Sequence, residues 1–230
     1  MKVDVIIPAL DEATSVGAVV AALDRRLIRE VLVVDNGSTD ATALRAEEAG
    51  ARVVSEVRRG YGQACLTGLA NLRADCEVVV FLDADGSDDP SELGELLEPI
   101  LSGRADLVVG SRRPVERSAL TPQQRVGNAV AALWLRRRFG LAATDLGPFR
   151  AIRLEALRQL GMTDRSYGWT VEMQIRAARA GLRYAERAVR YRRRVGQSKI
   201  SGTVRGTVGA SVKILSLLAW YDLVQPRTTR

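Results

Sequence analysis

Histidine is absent from this 230-residue chain. Without it there can be no imidazole general base, no Ser-His-Asp triad and no His-ligated metal. Cysteine occurs only as Cys65 and Cys76, too few for a disulfide framework and without zinc-site spacing. Both read as structural residues of a protein kept in a reducing compartment. Lysine is confined to Lys2, Lys199 and Lys213, so positive charge falls on arginine, the better bidentate partner for phosphate, although an arginine-favouring coding bias gives the same composition. No apolar run approaches the roughly 20 residues of a spanning helix; the longest candidate, 214–221, lies between Lys213 and Asp222. No basic-then-apolar leader precedes the first strand-like segment, and the expected location is cytoplasmic, with contact at the inner face of a membrane left open. The chemistry must come from carboxylates, arginine, hydroxyls, backbone or a bound ion.

With 47% hydrophobic and 27% charged residues, the chain has the composition of one ordinary globular domain. The net charge of +7 conceals a division. Residues 1–103 carry 9 basic against 19 acidic side chains, and residues 104–230 carry 25 against 8. Val-rich runs at 3–7, 31–34, 52–55, 78–82 and 107–109 read as buried parallel strands. Helical patterns at 15–25, 40–49, 62–72 and 91–101, with Ser, Thr or Asp near their starts as N-caps, alternate with them. Such βαβα order predicts an α/β fold with a doubly wound, mostly parallel sheet and helices on both faces. In the second half the patterns predict helices near 122–139, 154–160 and 170–180, a short apolar stretch at 149–152 and a strand near 183–192. A last amphipathic helix follows over about 201–224, with Val204, Val208, Val212, Leu215 and Leu218 at helical spacing. That segment suits either a membrane interface or a core or dimer contact. No internal repeat or low-complexity linker divides the chain.

Ligands of such sheets bind at the carboxyl ends of the strands. Polar clusters fall there at 8–12, 35–40 and 83–89. The strand at 78–82 runs into Asp83-Ala84-Asp85-Gly86-Ser87-Asp88-Asp89-Pro90, whose first two carboxylates can hold a divalent cation and leave coordination positions for diphosphate and water. Oxygen donors beside a phosphate partner suit Mg²⁺ or Mn²⁺. Taken singly, each cluster also suits turn and cap duty.

Together these segments resemble the family 2 glycosyltransferases of the GT-A fold, and within them the dolichyl and polyprenyl phosphate mannose and glucose synthases. The resemblance is carried by 5–12, 33–40, Arg59-Gly60-Tyr61-Gly62-Gln63-Ala64, 81–89, 108–112 and Gly196-Gln197-Ser198-Lys199. It implies one GT-A domain of two lobes, a nucleotide-sugar lobe over about 1–113 and an acceptor lobe over about 114–200, before the terminal helix. It also implies an inverting, metal-dependent hexosyltransferase that takes glucose or mannose from a UDP- or GDP-sugar to a phosphate acceptor, with polyprenyl phosphate foremost. The implied donor-side residues are Pro8, Ala9, Glu12, Asp35, Arg59, Gly62, Gln63, Asp83, Ala84 and Asp85. Asp85 and Asp83 are the implied metal ligands, and Asp83, Asp85, Arg125 and Arg150 the implied catalytic groups. Arg125, Asn128, Arg150, Arg194 and Lys199 make the implied acceptor side.

Two departures bear on the acceptor. The synthases usually carry Ser-Gly-Phe-Arg where this chain reads Gly147-Pro148-Phe149-Arg150, so a hydroxyl is missing. Members that glycosylate hydroxyls carry Glu-Asp where an ungapped alignment here gives Trp169-Thr170, with Glu172 on a later acidic position. A phosphate acceptor is already anionic and needs no base. The alternatives are a soluble phosphorylated or carboxylated acceptor, and a basic nucleic-acid-binding module. The second would want aromatics interleaved with arginine, and aromatics are only 5%. A sugar-nucleotide transferase would want a Gly-rich, basic loop at 8–12, which this is not.

Overall fold

A computed structural model describes residues 1–116, 118–196 and 204–223, the last helix having its side chains described from 213 onward. Seven strands form one sheet: β1 (Val3–Ala9), β2 (Glu30–Asp35), β3 (Arg52–Ser55), β4 (Val78–Phe81), β5 (Leu107–Pro114), β6 (Arg150–Arg153) and β7 (Tyr184–Tyr191), in the order β3-β2-β1-β4-β6-β5-β7. Helices α1 (Val16–Ala22), α2 (Thr42–Glu48), α3 (Tyr61–Ala70) and α4 (Leu93–Leu101) alternate with the first strands. The second half supplies α5 (Pro122–Phe139), α6 (Leu154–Leu160), α7 (Trp169–Arg179) and α8 (Val204–Leu223).

Period-two alternation of strand side chains divides the core between the two faces of the sheet. Val5, Ile7, Val31 and Val33 point toward α1 and α4, where Val16, Val20, Leu96 and Leu97 meet them. Their neighbours Ile6, Leu32 and Val34 point the other way, in a cluster with Cys65 of α3 and with Leu157, Trp169 and Met173 of α6 and α7. Both cysteines are free and buried. A third cluster joins α5, α7 and α8 through Leu135, Ile175, Leu218 and Tyr221.

The parallel pairings of β1 with β2 and β4, and of β2 with β3, follow the expected doubly wound order. The apolar stretch at 149–152 becomes β6, which runs antiparallel to both β4 and β5. It is four residues long with an arginine at each end, so nothing in its pattern marks a strand; burial between two Val-rich neighbours makes it one. Because β6 and β7 join the same sheet, the second half of the chain is built onto the first. Ala9 pairs with Asp35 and Ile6 with Phe81, so the segments following β1, β2 and β4 emerge side by side.

The N-caps differ from expectation. Ser15 makes no capping bond to α1; its hydroxyl donates to the Glu12 carboxylate at 3.2 Å instead. Thr121 forms a reciprocal capping box with Gln124 at the start of α5. The Val204 to Leu218 stripe is not uniform where it is described: Leu218 is buried and Leu215 exposed. Ile214 and Leu217 pack against the buried side.

Candidate active site

The loop after β1 turns at Asp11, whose φ of 51° lies in the left-handed region. Its N–H donates to Ser38 Oγ at 2.9 Å, and its carboxylate accepts from Thr39 N–H at 2.7 Å. Ser38 and Thr39 therefore tie the first and second loops together. Asp35 accepts from Ser38 N–H at 3.1 Å. Asn36 clamps the third loop, accepting from Gly60 N–H at 2.8 Å and donating to the carbonyls of Glu56 and Arg58. These loops enclose a cavity of ≈ 310 Å³ lined by Pro8, Ala9, Glu12, Arg59, Asp83, Ala84 and Asp85 among others.

Three residues expected at the donor take other places. Gln63 is buried, donating to Glu56 at 2.7 Å and accepting from Arg165 at 2.7 Å. A Cβ on Gly62 would lie 2.1 Å from the Asp164 carbonyl oxygen, so the close approach this glycine permits is that of the chain's own backbone. Asp35 is held by the loop it caps and lies outside the cavity wall.

Asp83 accepts from the Tyr61 hydroxyl at 3.0 Å. Asp85 turns one oxygen to the N–H and hydroxyl of Ser87, at 2.9 and 2.6 Å, and the other toward Arg194 at 3.4 Å. Burial, and then the charge of Asp85, raises the Asp83 carboxyl above its ordinary range. A dication would relieve that repulsion, and the hard oxygen donors suit Mg²⁺ or Mn²⁺. Among the described residues no three acidic or thiol side chains form a complete cation cage. The pair therefore fits a metal whose remaining ligands come from diphosphate and water. Asp88 is buried with both carboxylate oxygens lacking a hydrogen-bond partner, and burial and then Asp83 push its carboxyl well up. Asp89 caps the turn at Pro90–Glu92 and pairs with Arg190 and Arg192 at 3.1 and 2.9 Å.

A second cavity, of ≈ 750 Å³, shares Tyr61, Asp83, Asp85, Tyr167 and Arg194 with the first. Its further polar lining includes Arg112, Asn128, Gln123 and Gln124. The Arg112 guanidinium donates to Asp145 at 2.6 and 2.9 Å and to Asn128 at 3.3 Å, and lies 5.3 Å from the Tyr191 ring centroid. Burial works against its charge, yet Asp145 more than offsets this and raises its pKa. Arg112, Tyr61 and Asn36 lie in matching segments but have no role assigned from sequence, and Tyr167 lies in none; their places follow from loops meeting in space.

The expected acceptor arginines divide. Arg194 lines both cavities and pairs with Glu12 on the donor side. Arg125 is exposed on α5 beside the larger cavity, outside its wall. Arg150 does not reach either cavity: it is fully buried and donates to the carbonyls of Leu146, Gly147 and Thr170. Lys199 lies outside the described residues. At the positions aligned with a base, Thr170 lines the larger cavity while Trp169 is buried edge-on to Phe81, centroids 5.8 Å apart. Glu172 accepts from Thr163 and Asp164 N–H inside the protein. Among the described residues, Asp83 and Asp85 are the carboxylates lining this cavity.

A mostly parallel α/β sheet with paired carboxylates at its carboxyl edge, between two adjoining cavities, is the frame of a nucleotide-sugar transferase. The chain belongs to glycosyl transferase family 2, which residues 4–161 match. It is 44% identical over 207 residues to an uncharacterized glycosyltransferase of Mycobacterium tuberculosis strain H37Rv, covering 90% of this chain and 93% of that one. Similarity to an undecaprenyl-phosphate mannosyltransferase of Micrococcus luteus is 33% over 242 residues and covers 99% of each. Among solved structures, the glucosyl-3-phosphoglycerate synthase of M. tuberculosis bound to Mn²⁺, UDP and its product superposes with a TM-score of 0.77 at 26% identity, covering 96% of this chain and 80% of that one. The same synthase has been solved with Mg²⁺ and UDP, and with Mn²⁺, UDP-glucose and glycerol 3-phosphate. Among the described residues no helix is long and apolar enough to cross a membrane.

Proposed function

We propose that this glycosyltransferase moves a hexose, with inversion, from a UDP- or GDP-sugar in the smaller cavity to a phosphate acceptor in the larger one, the acceptor being polyprenyl phosphate. The observation that carries this reading is the junction: both cavities open onto Asp83 and Asp85. Pro8, Ala9, Glu12, Arg59 and Ala84 border the donor, and Arg112, Asn128 and Arg194 face the acceptor phosphate, with Arg125 at the rim. On this reading residues 1–113 form the donor lobe, except that Arg112 near its end faces the acceptor, and 114–200 form the acceptor lobe.

An acceptor phosphate oxygen attacks the anomeric carbon, and the bond from that carbon to the diphosphate oxygen breaks, its electron pair leaving with the nucleoside diphosphate. No proton needs removal from the nucleophile, which accords with a cavity whose carboxylates are those beside the donor. Mg²⁺ or Mn²⁺ held by Asp85 and Asp83 would supply charge stabilisation to the leaving diphosphate. Arg194, paired with Glu12 and facing Asp85, is placed to meet the same charge from the protein side. The apolar part of the larger cavity, with Val126, Val130, Leu146 and Leu215, suits an isoprenoid chain, and the similarity to an undecaprenyl-phosphate mannosyltransferase supports that acceptor class.

The solved synthase with glycerol 3-phosphate bound favours a second reading, a soluble phosphorylated acceptor. An acceptor screen separates the two. UDP-glucose and GDP-mannose are offered with Mn²⁺ or Mg²⁺, and either a polyprenyl phosphate or 3-phosphoglycerate. Product formed only with the polyprenyl phosphate is expected; transfer to 3-phosphoglycerate alone would overturn the lipid acceptor.

A further inference from the structure

Asp83 and Asp85 stand at the same junction but are held differently. Asp85 accepts from the N–H and hydroxyl of Ser87 and faces Arg194. Asp83 has a single hydrogen-bond donor among the described residues, the Tyr61 hydroxyl at 3.0 Å. That bond engages one carboxylate oxygen and leaves the other without a protein partner among the described residues. The charge of Asp85 acts against that of Asp83, and like charges side by side drive untethered carboxylates apart. Tyr61 is therefore what sets the direction of Asp83.

Tyr61 is itself firmly placed. Its ring packs against the core cluster that contains Cys65, Phe81 and Trp169. Its backbone is pinned on both sides: Gly60 N–H donates to Asn36 at 2.8 Å, and the N–H groups of Gly62 and Gln63 donate to the carbonyls of Ser166 and Arg165 at 3.2 and 3.0 Å. Only glycine allows the two segments to close in this way, because a Cβ on Gly60 would lie 2.2 Å from the Arg165 carbonyl oxygen. The residue between the two glycines is thus directed to the junction, and Tyr61 lines both cavities. A tyrosine has only two rotatable torsions. With its ring seated in the core and its backbone fixed, the hydroxyl is a stationary donor.

We infer that Tyr61 is a positioning residue for the transfer: its hydroxyl holds one oxygen of Asp83 so that the other stays turned toward the divalent cation of the donor. The inference rests on the reading of Asp83 and Asp85 as the residues that hold that cation. It adds that the first carboxylate is oriented from α3, whereas Asp85 is oriented by its own loop.

Tyr61→Phe keeps the ring and removes the hydroxyl alone. The test is a Mn²⁺ titration of the full chain with UDP present and neither sugar nor acceptor, free Mn²⁺ being read by electron paramagnetic resonance. Tyr61→Phe, Asp83→Asn and the double variant are compared with wild type. Tyr61→Phe is expected to weaken Mn²⁺ binding by about tenfold with an unaltered thermal transition. In the Asp83→Asn background the same change should alter binding by less than about twofold, since Tyr61 acts through Asp83. Wild-type affinity in Tyr61→Phe, beside a weakened Asp83→Asn, overturns the inference alone. An equal loss in both backgrounds, the mark of a merely structural role, overturns it as well. Asp83→Asn that binds Mn²⁺ as the wild type refutes the cation reading, and the inference falls with it.

Discussion

Position 147 has no room for a side chain. A Cβ on Gly147 would lie 2.0 Å from the Gly110 carbonyl oxygen, closer than any real contact. By motif alone the missing serine reads as a lost acceptor hydroxyl; in the fold it is the consequence of two backbone segments in contact. Gly147→Ser should therefore destabilise the protein by about 1–3 kcal/mol, seen in urea denaturation, without improving transfer. Arg150 teaches the same distinction. Its motif match identifies the residue but not the direction of its side chain, and β6 turns the guanidinium inward to three carbonyls. Glu56, unremarked in the sequence, accepts from Thr67, Arg58 N–H and Gln63, which together hold its carboxyl at about 2 against an ordinary 4.5. The folded state thus favours the ionised form. Its stabilising contribution is present above about pH 4.5 and is lost as pH falls toward 2. Glu56→Gln should narrow the loss of urea midpoint between neutral and acid pH relative to wild type; an unchanged loss would refute that role.

Among the elements, the Val-rich strands and the amphipathic helices were legible because their burial is written locally, in runs and periods. The antiparallel β6 was not, since its four residues owe their strand state to β4 and β5 on either side. The donor-side clusters were likewise legible as strand ends. Asn128 was legible through the resemblance, but its partnership with Arg112 and Asp145 was not, because it joins β5, the loop before β6 and α5, which are distant in sequence. The joining of α5, α7 and α8 depends on Leu218, which is fully buried in their shared cluster. Leu218→Ala is expected to cost about 2–5 kcal/mol, measured by the same denaturation. A cost below about 0.5 kcal/mol would mean that α8 is not packed into this cluster.

Across the whole molecule, the division of charge at about residue 104 has a spatial counterpart. The acidic half supplies Glu12, Asp83 and Asp85 at the donor cavity, and the basic half supplies Arg112 at the acceptor cavity and Arg194 between the two. If the acceptor is the phosphate proposed above, these arginines would attract it, and salt screens such attraction over a length of about 10 Å at 0.1 M. Raising salt should therefore lower kcat/KM for the phosphate acceptor, measured with a water-soluble isoprenyl phosphate at saturating donor. An acceptor kcat/KM independent of salt would argue against this steering.

On the proposed function, sugar transfer takes place at the carboxylate pair where the two cavities meet. Asp85→Asn tests it most directly, assayed for product from nucleotide sugar and polyprenyl phosphate across a Mn²⁺ titration, with circular dichroism to verify the fold. The account predicts a folded protein whose turnover falls by about a hundredfold or more and whose residual activity no longer rises with metal. Wild-type turnover with an unaltered metal dependence would contradict it.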